Sequence, residues 1–328
     1  MTTAPGPVTV LGAGAIGCFV GGRLQAAGAE VHYVGRPRVL DALRRAGLQL
    51  TDLEAEPVTL PAHSLKLHTA PPPESTLVLL CVKSGATADA ARTLQAGRLV
   101  LSLQNGLSNA TLAAAAGREL TVLPGMVPFN VAELGPGRYH RGTTGHLAAQ
   151  DHERLRPWLP LFAAAGLPLT LHTDLKPVQW GKLLLNLNNP VNALSGLPLR
   201  AQLQDRDHRR VLAGLQAEAL DLMQAAGIRP APLTPLPPRR LALVLRLPNW
   251  LFKRVAARML RIDEKARSSM ADDLALGRRT EIDALCGEVV RLAASIGRQA
   301  PLNTRMVQLV EQDPRPRSGA GLRRELNL

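Results

Sequence analysis

Short apolar runs alternate with helical patterns over the first half of the chain. Each apolar run has the length of a buried strand, and the helical periodicity of residues 15–27 follows the first run directly. Strands that alternate with helices in this way predict a parallel, doubly wound sheet. The Gly-rich stretch 130–150 predicts antiparallel strands at an edge of that sheet. The apolar runs lie at 8–11, 31–34, 77–82, 99–103 and 121–123.

From about residue 174 the pattern changes to long helical segments, and a Pro-rich stretch at 230–238 separates two of them. We therefore expect an α/β Rossmann domain over 1–173, with a doubly wound and mostly parallel sheet, and an all-α domain over 174–328. Turn-forming residues from about 313 predict a flexible tail. The expected helices span 175–194, 205–226, 249–275 and 281–297.

The segment 239–254 is basic and amphipathic, a pattern typical of helices that lie on a membrane surface. Pro248 interrupts this pattern. The interruption favours an insert that packs on the helical domain or lies over the site, and the role of the longer stretch 230–262 stays open.

Composition narrows the class of protein. A chain of 328 residues, 46% of them hydrophobic, can bury the cores of two globular domains. The formal net charge of +13 suggests nucleic-acid binding, but only 6 of the 39 basic residues are lysine, which indicates a coding bias toward arginine. Aromatic residues make up 3% of the chain, too few for base-stacking platforms. We therefore expect no nucleic-acid partner.

Three cysteines, Cys18, Cys81 and Cys286, lie far apart and show no metal-ligand spacing. We expect reduced thiols, a cytoplasmic location and no metal. The N-terminal sequence lacks the pattern of a signal peptide. No run reaches the roughly 18 apolar residues of a membrane span, so we expect no membrane partner either.

A Gly-rich turn, Gly12-Ala13-Gly14-Ala15-Ile16-Gly17, lies between the first predicted strand and the first predicted helix. In this position the pattern is typical of dinucleotide binding. Gly12 permits a tight turn, Gly14 lets the backbone approach a pyrophosphate, and Gly17 lets the helix pack closely on the strand. The alternative is a turn with a purely structural role.

The residues after the second strand select the dinucleotide. NAD enzymes usually carry Asp or Glu there, but this chain has Arg36, whose charged fork suits a 2′-phosphate. Arg36 therefore predicts NADP(H), with a solvated loop arginine as the alternative. Lys83 and Asn105 follow two other predicted strands, at the sheet edge where ligands bind.

Lys182, Asn186 and Asn189 sit at i, i+4 and i+7 of a Leu-rich helical pattern. This spacing puts one ammonium and two amides on a single helix face. Such a face suits an anionic or carbonyl-bearing ligand, or it is simply the polar side of a half-buried helix.

At several places the chain resembles the ketopantoate reductases (2-dehydropantoate 2-reductases). The most specific resemblance is the block from Ser268-Ser269-Met270 to Thr280-Glu281-Ile282-Asp283. That family has an N-terminal NADP-binding Rossmann domain and an all-helical substrate domain. The other matching motifs, in the order of the family, are Gly12-Ala-Gly-Ala-Ile-Gly17, Val82-Lys83, Gln104-Asn105-Gly106 and Trp180-Gly-Lys182-Leu.

The resemblance implies NADPH-dependent reduction of 2-dehydropantoate to (R)-pantoate, a step toward pantothenate and coenzyme A. It makes Lys182 the catalytic lysine and Glu281 a supporting carboxylate, and it places Arg36 and Lys83 at the 2′-phosphate of the cofactor. The implied substrate contacts are Asn105, which also borders the cofactor, Asn186, a second helix asparagine and Ser269.

One departure from the family concerns that second asparagine. In many members it falls four residues after the first, a position that is Pro190 here. Pro190 should distort the helix locally. Either Asn189 or Asn192 then takes the role, and the sequence leaves both open.

The chemistry requires a group that protonates the growing alkoxide. Lys182 can serve as that general acid if its pKa lies below that of free lysine. Glu281 would aim the ammonium or a substrate hydroxyl, or it would only complement the dipole of a helix that Thr280 caps. Ser269 falls inside a helical pattern, where serine is not favoured, and this hints at a role in the site.

Two other functions stay open: a reductase of another branched 2-keto acid, and a non-catalytic NADP-binding sensor. The joint presence of Lys182, Asn105, Ser269 and Glu281 argues against the sensor, since a sensor needs only the first domain intact. The sequence does not determine the oligomeric state, and a homodimer is one expectation.

Overall fold

The computed structural model describes residues 5–117, 119–257, 264 and 266–328. The chain divides into two compact units, of which the first ends at Leu175 and the second begins at Lys176. The sequence pattern placed this boundary near 173. Each unit has its own secondary structure class, with strands in the first and helices in the second.

The first unit is built on two sheets. Its helices are α1 (Ala15–Ala26), α2 (Pro37–Ala46), α3 (Thr87–Arg92), α4 (Asn109–Ala116) and α5 (Leu159–Ala164). Its strands are β1 (Val8–Leu11), β2 (Val31–Val34), β3 (Leu48–Asp52), β4 (Val58–Leu60), β5 (Lys66–His68), β6 (Leu77–Leu80), β7 (Leu99–Ser102), β8 (Thr121–Met126), β9 (Val131–Gly135), β10 (Arg138–Arg141), β11 (Leu147–Gln150) and β12 (Leu169–His172).

The larger sheet has eight strands in the order β12-β11-β8-β7-β6-β1-β2-β5. All neighbours are parallel except β8 and β11, which are antiparallel. The predicted mostly parallel, doubly wound sheet is therefore confirmed. In register, Val8 of β1 faces both Val31 and Leu77. The carboxyl ends of β1, β2 and β6 consequently lie side by side at one sheet edge.

The second sheet, with the order β4-β3-β10-β9, was not expected. The antiparallel pairing predicted within 130–150 is present between β9 and β10, but β10 also pairs in parallel with β3 from much earlier in the chain. Helix α1 packs against strands of both sheets. A Cβ on Gly21 would stand 2.6 Å from Val10, and one on Gly22 would stand 2.7 Å from Leu48. Two adjacent glycines thus let the helix lie close to a sheet on either side.

The second unit is helical and is organised around one long central helix, α9. Helix α9 packs against α7, α8, α10, α13, α14 and α15. The helices are α6 (Lys176–Asn186), α7 (Asn188–Ser195), α8 (Leu199–Gln204), α9 (Arg206–Ala225), α10 (Pro238–Leu245), α11 (Asn249–Val255), α12 (Ser269–Ala275), α13 (Ile282–Ser295), α14 (Pro301–Gln312) and α15 (Gly319–Glu325).

For two of the expected long helices, the prediction of one continuous helix is wrong. The segment 175–194 is divided at Leu187 into α6 and α7. The segment 249–275 contains α11 and α12 at its two ends, and Ser268 before α12 has an extended backbone. Residues 258–263 and 265, which the prediction also covered, lie outside the described residues.

The segment from about 313, for which the sequence predicted a flexible tail, makes packed contacts in the helical unit. Arg317 donates its backbone N–H to the carbonyl of Leu194 at 2.7 Å, and its guanidinium binds Asp313 and Glu325. Helix α15 buries Leu322 completely. Turn-forming residues there mark a connection between two packed helices and not the end of the fold.

The basic segment 239–254 forms α10 and α11, which are separated at Pro248. Helix α10 packs on α9 with Leu241 and Leu245 buried, whereas Trp250 of α11 is 71% exposed. The α10 part of the segment thus packs on the helical unit, which is one of the two arrangements that the interruption at Pro248 favoured. In the part of the chain that the structure describes, none of the helices combines the length and the apolar character needed to span a bilayer.

Candidate active site

The three glycines of the Gly-rich turn differ in how much space surrounds them. Gly12 has a φ of +113°, and a Cβ there would stand 2.5 Å from the backbone nitrogen of Val82. A Cβ on Gly17 would stand 2.2 Å from the carbonyl oxygen of Gly12. A Cβ on Gly14 would meet nothing within 4 Å. Gly12 and Gly17 are thus needed by the fold, whereas the space over Gly14 is open.

This turn fits a dinucleotide pyrophosphate. Gly14 is exposed and precedes the first residue of α1, with no side chain capping the helix and no acidic residue in its first turn. Ala15, Ile16 and Gly17 form that first turn, whose N–H groups lack acceptors within the helix and favour an anion. Ala13 is buried and donates its N–H to Val34. The backbone at Gly14 therefore has both the room and the polarity for a phosphate.

Arg36 lies just beyond the carboxyl end of β2. It is exposed and is the residue that precedes α2, where its carbonyl accepts hydrogen bonds from Val39 and Leu40. Because β2 is next to β1, Arg36 and the Gly-rich turn follow neighbouring strands of the sheet. This is the position from which an arginine can bind the 2′-phosphate of a dinucleotide.

Lys83 and Asn105 follow β6 and β7, which are also neighbours. Gln104, which precedes Asn105, was noted in the sequence only as part of a motif, and its structural role was not predicted. Gln104 is buried and donates from Nε2 to the carbonyl of Val82 at 2.8 Å and to Thr87 Oγ1 at 2.7 Å. Its amide thereby ties the segment before Lys83 to the segment before Asn105.

A second buried amide, that of Asn109, completes this network. Its Nδ2 donates to the carbonyl of Asn105 at 2.6 Å, and its Oδ1 accepts from Thr87 Oγ1 at 2.9 Å. The backbone at Asn105 is therefore held from α4 as well as from β7. The signal that could have revealed the first of these amides is the sequence Gln104-Asn105-Gly106, in which a polar pair directly follows a buried strand.

In the second unit, Lys182 lies in the middle of α6 and is half-buried. Desolvation by burial lowers the pKa of its ammonium to about 8. A lysine with this pKa is a stronger acid than an ordinary lysine and is still largely protonated at neutral pH. The sequence analysis required this direction of shift for a general acid.

The glycine of the Trp180-Gly181-Lys182 motif has a packing role. A Cβ on Gly181 would stand 2.3 Å from the carbonyl oxygen of Ala231, and Ala231 donates its N–H to Pro177. The Pro-rich segment therefore crosses α6 at Gly181. Trp180 beside it is 6% exposed, so this contact fixes the helix that carries Lys182.

Pro190 distorts the helix as predicted. Helix α6 ends at Asn186 and α7 begins at Asn188, so the break at Leu187 falls one turn before Pro190. Proline has no N–H to donate to the carbonyl four residues earlier, and its ring crowds that carbonyl. Asn186 stays in one regular helix with Lys182, one turn away. The regular i+7 spacing of Asn189 does not survive the break.

The structure gives Asn192 a role inside the protein. Asn192 is 0% exposed, its Oδ1 accepts the backbone N–H of Ser268 at 2.9 Å, and its Nδ2 donates to the carbonyl of Leu197 at 2.9 Å. Both amide atoms of Asn192 are thus used inside the protein, which favours Asn189 over Asn192 for the substrate contact; that assignment stays a prediction. Asn189 is only half-buried.

The block from Ser268 to Asp283 does not have the helix positions that the sequence predicted. Ser268 caps α12, and Ser269 is the exposed first residue of that helix and not a residue of its interior. Thr280 does not cap α13, because the residue preceding the helix is Glu281, whose side chain makes no capping hydrogen bond. Glu281 is half-buried. Within the described ranges, no group of three His, Cys, Asp or Glu residues is arranged to hold a metal ion.

Fold and site together define a class of protein: a two-unit oxidoreductase with a dinucleotide-binding Rossmann unit and a helical unit that carries a lysine of lowered pKa. The family profile of ketopantoate reductase PanE/ApbA matches residues 8–154, and that of its C-terminal domain matches residues 174–313. The chain belongs to the ketopantoate reductase family.

Individual proteins agree with this assignment. The 2-dehydropantoate 2-reductase of Halobacterium salinarum is 30% identical over 92% of this chain and 97% of its own length. A PanE/ApbA family ketopantoate reductase from Ralstonia eutropha has 29% identity, a TM-score of 0.76 and 98% coverage of each chain. The ketopantoate reductase of Staphylococcus aureus shares the fold, with a TM-score of 0.68 at 16% identity over 98% of this chain and 99% of its own.

Proposed function

We propose that this protein reduces 2-dehydropantoate to (R)-pantoate with NADPH, in the route to pantothenate and coenzyme A, and that Lys182 is the general acid. The observation that carries the proposed general acid is the position of Lys182, half-buried in the middle of α6, where desolvation lowers its pKa to about 8. Membership of the ketopantoate reductase family supports the reaction, and so does the name of the Halobacterium salinarum relative.

The first unit would hold the cofactor. The N–H groups of the Gly12–Gly17 turn would bind the pyrophosphate, and Arg36 and Lys83 would neutralise the 2′-phosphate. Asn105 would contact the cofactor and the substrate, with its backbone held by Asn109. When bound, NADPH supplies a hydride to the ketone carbon of the substrate.

Lys182 would supply the proton. Reduction of the ketone leaves negative charge on its oxygen, and an ammonium beside this oxygen stabilises the charge and then donates its proton to form the hydroxyl. Desolvation helps both steps, because it lowers the pKa of the ammonium and strengthens its attraction for the developing alkoxide. No metal ion is needed for this charge stabilisation.

The remaining polar residues of the second unit would bind the substrate. Asn186 and Asn189 can donate amide hydrogens to its carboxylate or hydroxyl oxygens. Ser269, at the start of α12, can donate from its exposed hydroxyl. Glu281 would accept a hydrogen bond from the Lys182 ammonium or from a substrate hydroxyl, and it would orient whichever of the two it binds.

The test follows the loss of NADPH absorbance with 2-dehydropantoate and a panel of other branched 2-keto acids. We expect turnover with 2-dehydropantoate as the best substrate, and a loss of about a thousandfold in kcat for Lys182→Ala. Lys253→Ala, on the exposed face of α11, is the matched control and should retain wild-type rates. A different preferred keto acid would revise the substrate, and an active Lys182→Ala variant would overturn the proposed general acid.

The preference for NADPH over NADH is tested separately. An arginine–phosphate pair contributes about 1.5–3 kcal/mol, so Arg36→Ala should weaken NADPH binding by about 10- to 100-fold and leave NADH binding nearly unchanged. Arg45→Ala, at the other end of α2, serves as the control of equal charge change. An unchanged ratio of the two dissociation constants in Arg36→Ala would remove Arg36 from the cofactor site.

We also propose a homodimer in the cytoplasm. The Staphylococcus aureus ketopantoate reductase is a dimer, and free thiols, two of them buried, suit a reducing compartment. Light scattering on the purified protein tests the assembly, and a monomer at the concentrations used in the assay would contradict it.

A further inference from the structure

The start of α12 is fastened to α7 by a network centred on Asn192. The amide of Asn192 accepts from the N–H of Ser268 and donates to the carbonyl of Leu197, both at 2.9 Å. Asn192 is completely buried. One side chain thereby connects α7, the segment after α7, and the residue that caps α12.

Ser268 makes the second connection between the same helices. Its Oγ donates to the carbonyl of Asn189 at 3.1 Å and accepts from the N–H of Ala271 at 3.2 Å. The hydroxyl therefore donates one hydrogen bond to α7 and accepts another that caps α12. Two residues upstream, the carbonyl of Ala266 accepts from the N–H of Leu199 at 2.8 Å, so the chain is also held two residues before the cap of α12.

We propose that Asn192 is a positioning residue for substrate binding: its amide sets the distance between Ser269 and Asn189 without touching the substrate. Ser269 directly follows Ser268, which the amide of Asn192 holds, and Asn189 supplies the carbonyl that Ser268 binds. The inference rests on the proposed function, because it assigns Ser269 and Asn189 to the same keto acid.

The chemistry of the amide explains why asparagine is needed. A single side chain has to present an acceptor to Ser268 and a donor to Leu197 at a position with no solvent exposure. Alanine would leave a buried N–H and a buried carbonyl without partners. An aspartate would keep the acceptor but would place a charge against the carbonyl of Leu197. Loss of these two hydrogen bonds would let Ser269 shift, and a shift of about 1 Å can lower kcat/KM by about a hundredfold.

The experiment compares two buried asparagines of the same unit. Asn303 is also 0% exposed, and its Nδ2 donates to Glu218 at 2.8 Å, but it lies on α14. Asn192→Ala and Asn303→Ala should lose similar thermal stability. Only Asn192→Ala should raise the KM for 2-dehydropantoate, by about tenfold or more, while the dissociation constant of NADPH stays at the wild-type value in both.

A second pair of substitutions, which should destabilise the protein less, keeps the test decisive if Asn192→Ala does not fold. Ser268→Ala removes the hydroxyl link to Asn189 and the cap of α12, whereas Ser318→Ala removes only the equivalent cap of α15. Each should cost about 1 kcal/mol of stability. A rise of KM confined to Ser268→Ala supports the positioning role.

The outcomes separate this inference from the proposed function. Wild-type turnover of 2-dehydropantoate, with equal KM values in each matched pair of variants, overturns the positioning role alone. Absence of wild-type turnover with any 2-keto acid overturns the proposed function, and the positioning role falls with it. A KM raised equally by Asn303→Ala would show that general loss of stability, and not the two hydrogen bonds of Asn192, controls substrate binding.

Discussion

Gly17 lies so close to Gly12 that a Cβ on Gly17 would stand 2.2 Å from the carbonyl oxygen of Gly12. Two glycines five positions apart thus make one contact, and this contact holds the start of α1 against the end of β1. Gly14, between them, has no neighbour within 4 Å of its own Cβ position. The fold requires glycine only at positions 12 and 17. The motif therefore combines two structural glycines with a third, Gly14, that leaves space for a ligand.

Substitutions in this turn should separate folding from cofactor binding. Gly17→Ala forces a Cβ into backbone and should destabilise the protein by about 1–3 kcal/mol. Gly14→Val should leave the unfolding temperature nearly unchanged, because its φ of −91° suits any residue, and should raise the dissociation constant of NADPH by about tenfold or more. Thermal unfolding and cofactor titration measure the two effects. Tight NADPH binding by Gly14→Val would place the pyrophosphate elsewhere.

The rate of keto acid reduction should depend on the protonation of Lys182. A general acid must carry its proton, so kcat/KM for reduction should be constant below a pH of about 8 and fall about tenfold per pH unit above it. The reverse oxidation needs the neutral amine and should rise over the same range. Initial rates in both directions from neutral to alkaline pH provide the measurement. A decline that persists unchanged in Lys182→Arg would come from another group.

Arg209 should be a major contributor to the stability of the helical unit. It is 0% exposed, stacks on Phe252 at 4.0 Å, and donates to neutral acceptors in the turn between α10 and α11, including the carbonyls of Leu245 and Leu247. Arg209→Ala removes the donor from the buried carbonyls of Leu203 and Leu245 and from the half-buried carbonyl of Leu247, at a cost of about 3 kcal/mol or more.

Denaturant unfolding of Arg209→Ala measures this cost. Arg210→Ala, the half-buried neighbour on the same helix, is the control and should change the free energy of unfolding by no more than about 0.5 kcal/mol. Equal effects of the two substitutions would mean that the turn between α10 and α11 is held by other contacts.

The cysteines should be unreactive in the folded protein. Burial raises the pKa of the Cys18 thiol to about 12 and raises those of Cys81 and Cys286 as well. Thiolates, which are the reactive form, are therefore scarce at neutral pH. Ellman's reagent should label the native protein very slowly and all 3 cysteines after denaturation. Rapid labelling of one thiol in the native protein would contradict its burial.

The C-terminal helix should be part of the cooperative fold. Leu322→Ala removes a completely buried side chain from α15 and should cost about 2–4 kcal/mol of unfolding free energy. Leu243→Ala, at a position that is 62% exposed, should cost much less. Both are compared by denaturant unfolding. A wild-type midpoint for Leu322→Ala would indicate that α15 unfolds independently of the rest of the unit.

Much of the first unit could be predicted from its sequence because the signals there are local. Strands buried on both faces are continuous apolar runs, so β1, β2, β6 and β7 were recognisable without knowledge of their neighbours. The Gly-rich turn was recognisable for the same reason. The second sheet was not, because β3 is defined by its pairing with β10 far along the chain, and the apolar–polar alternation within its five residues is too short to identify a strand by itself.

In the candidate site, the sequence alone determined the residue types and their helical spacing, so Lys182 and Asn186 could be placed on one face of α6. Tertiary structure decided which of the other polar side chains are already hydrogen-bonded inside the protein and which are left exposed enough to bind a substrate. Asn192 is bonded at both amide atoms by Ser268 and Leu197, whereas Asn189 is left half-buried. Burial and hydrogen bonding between distant segments set these differences, as they set the pKa of Lys182, and no pattern within a single helix contains them.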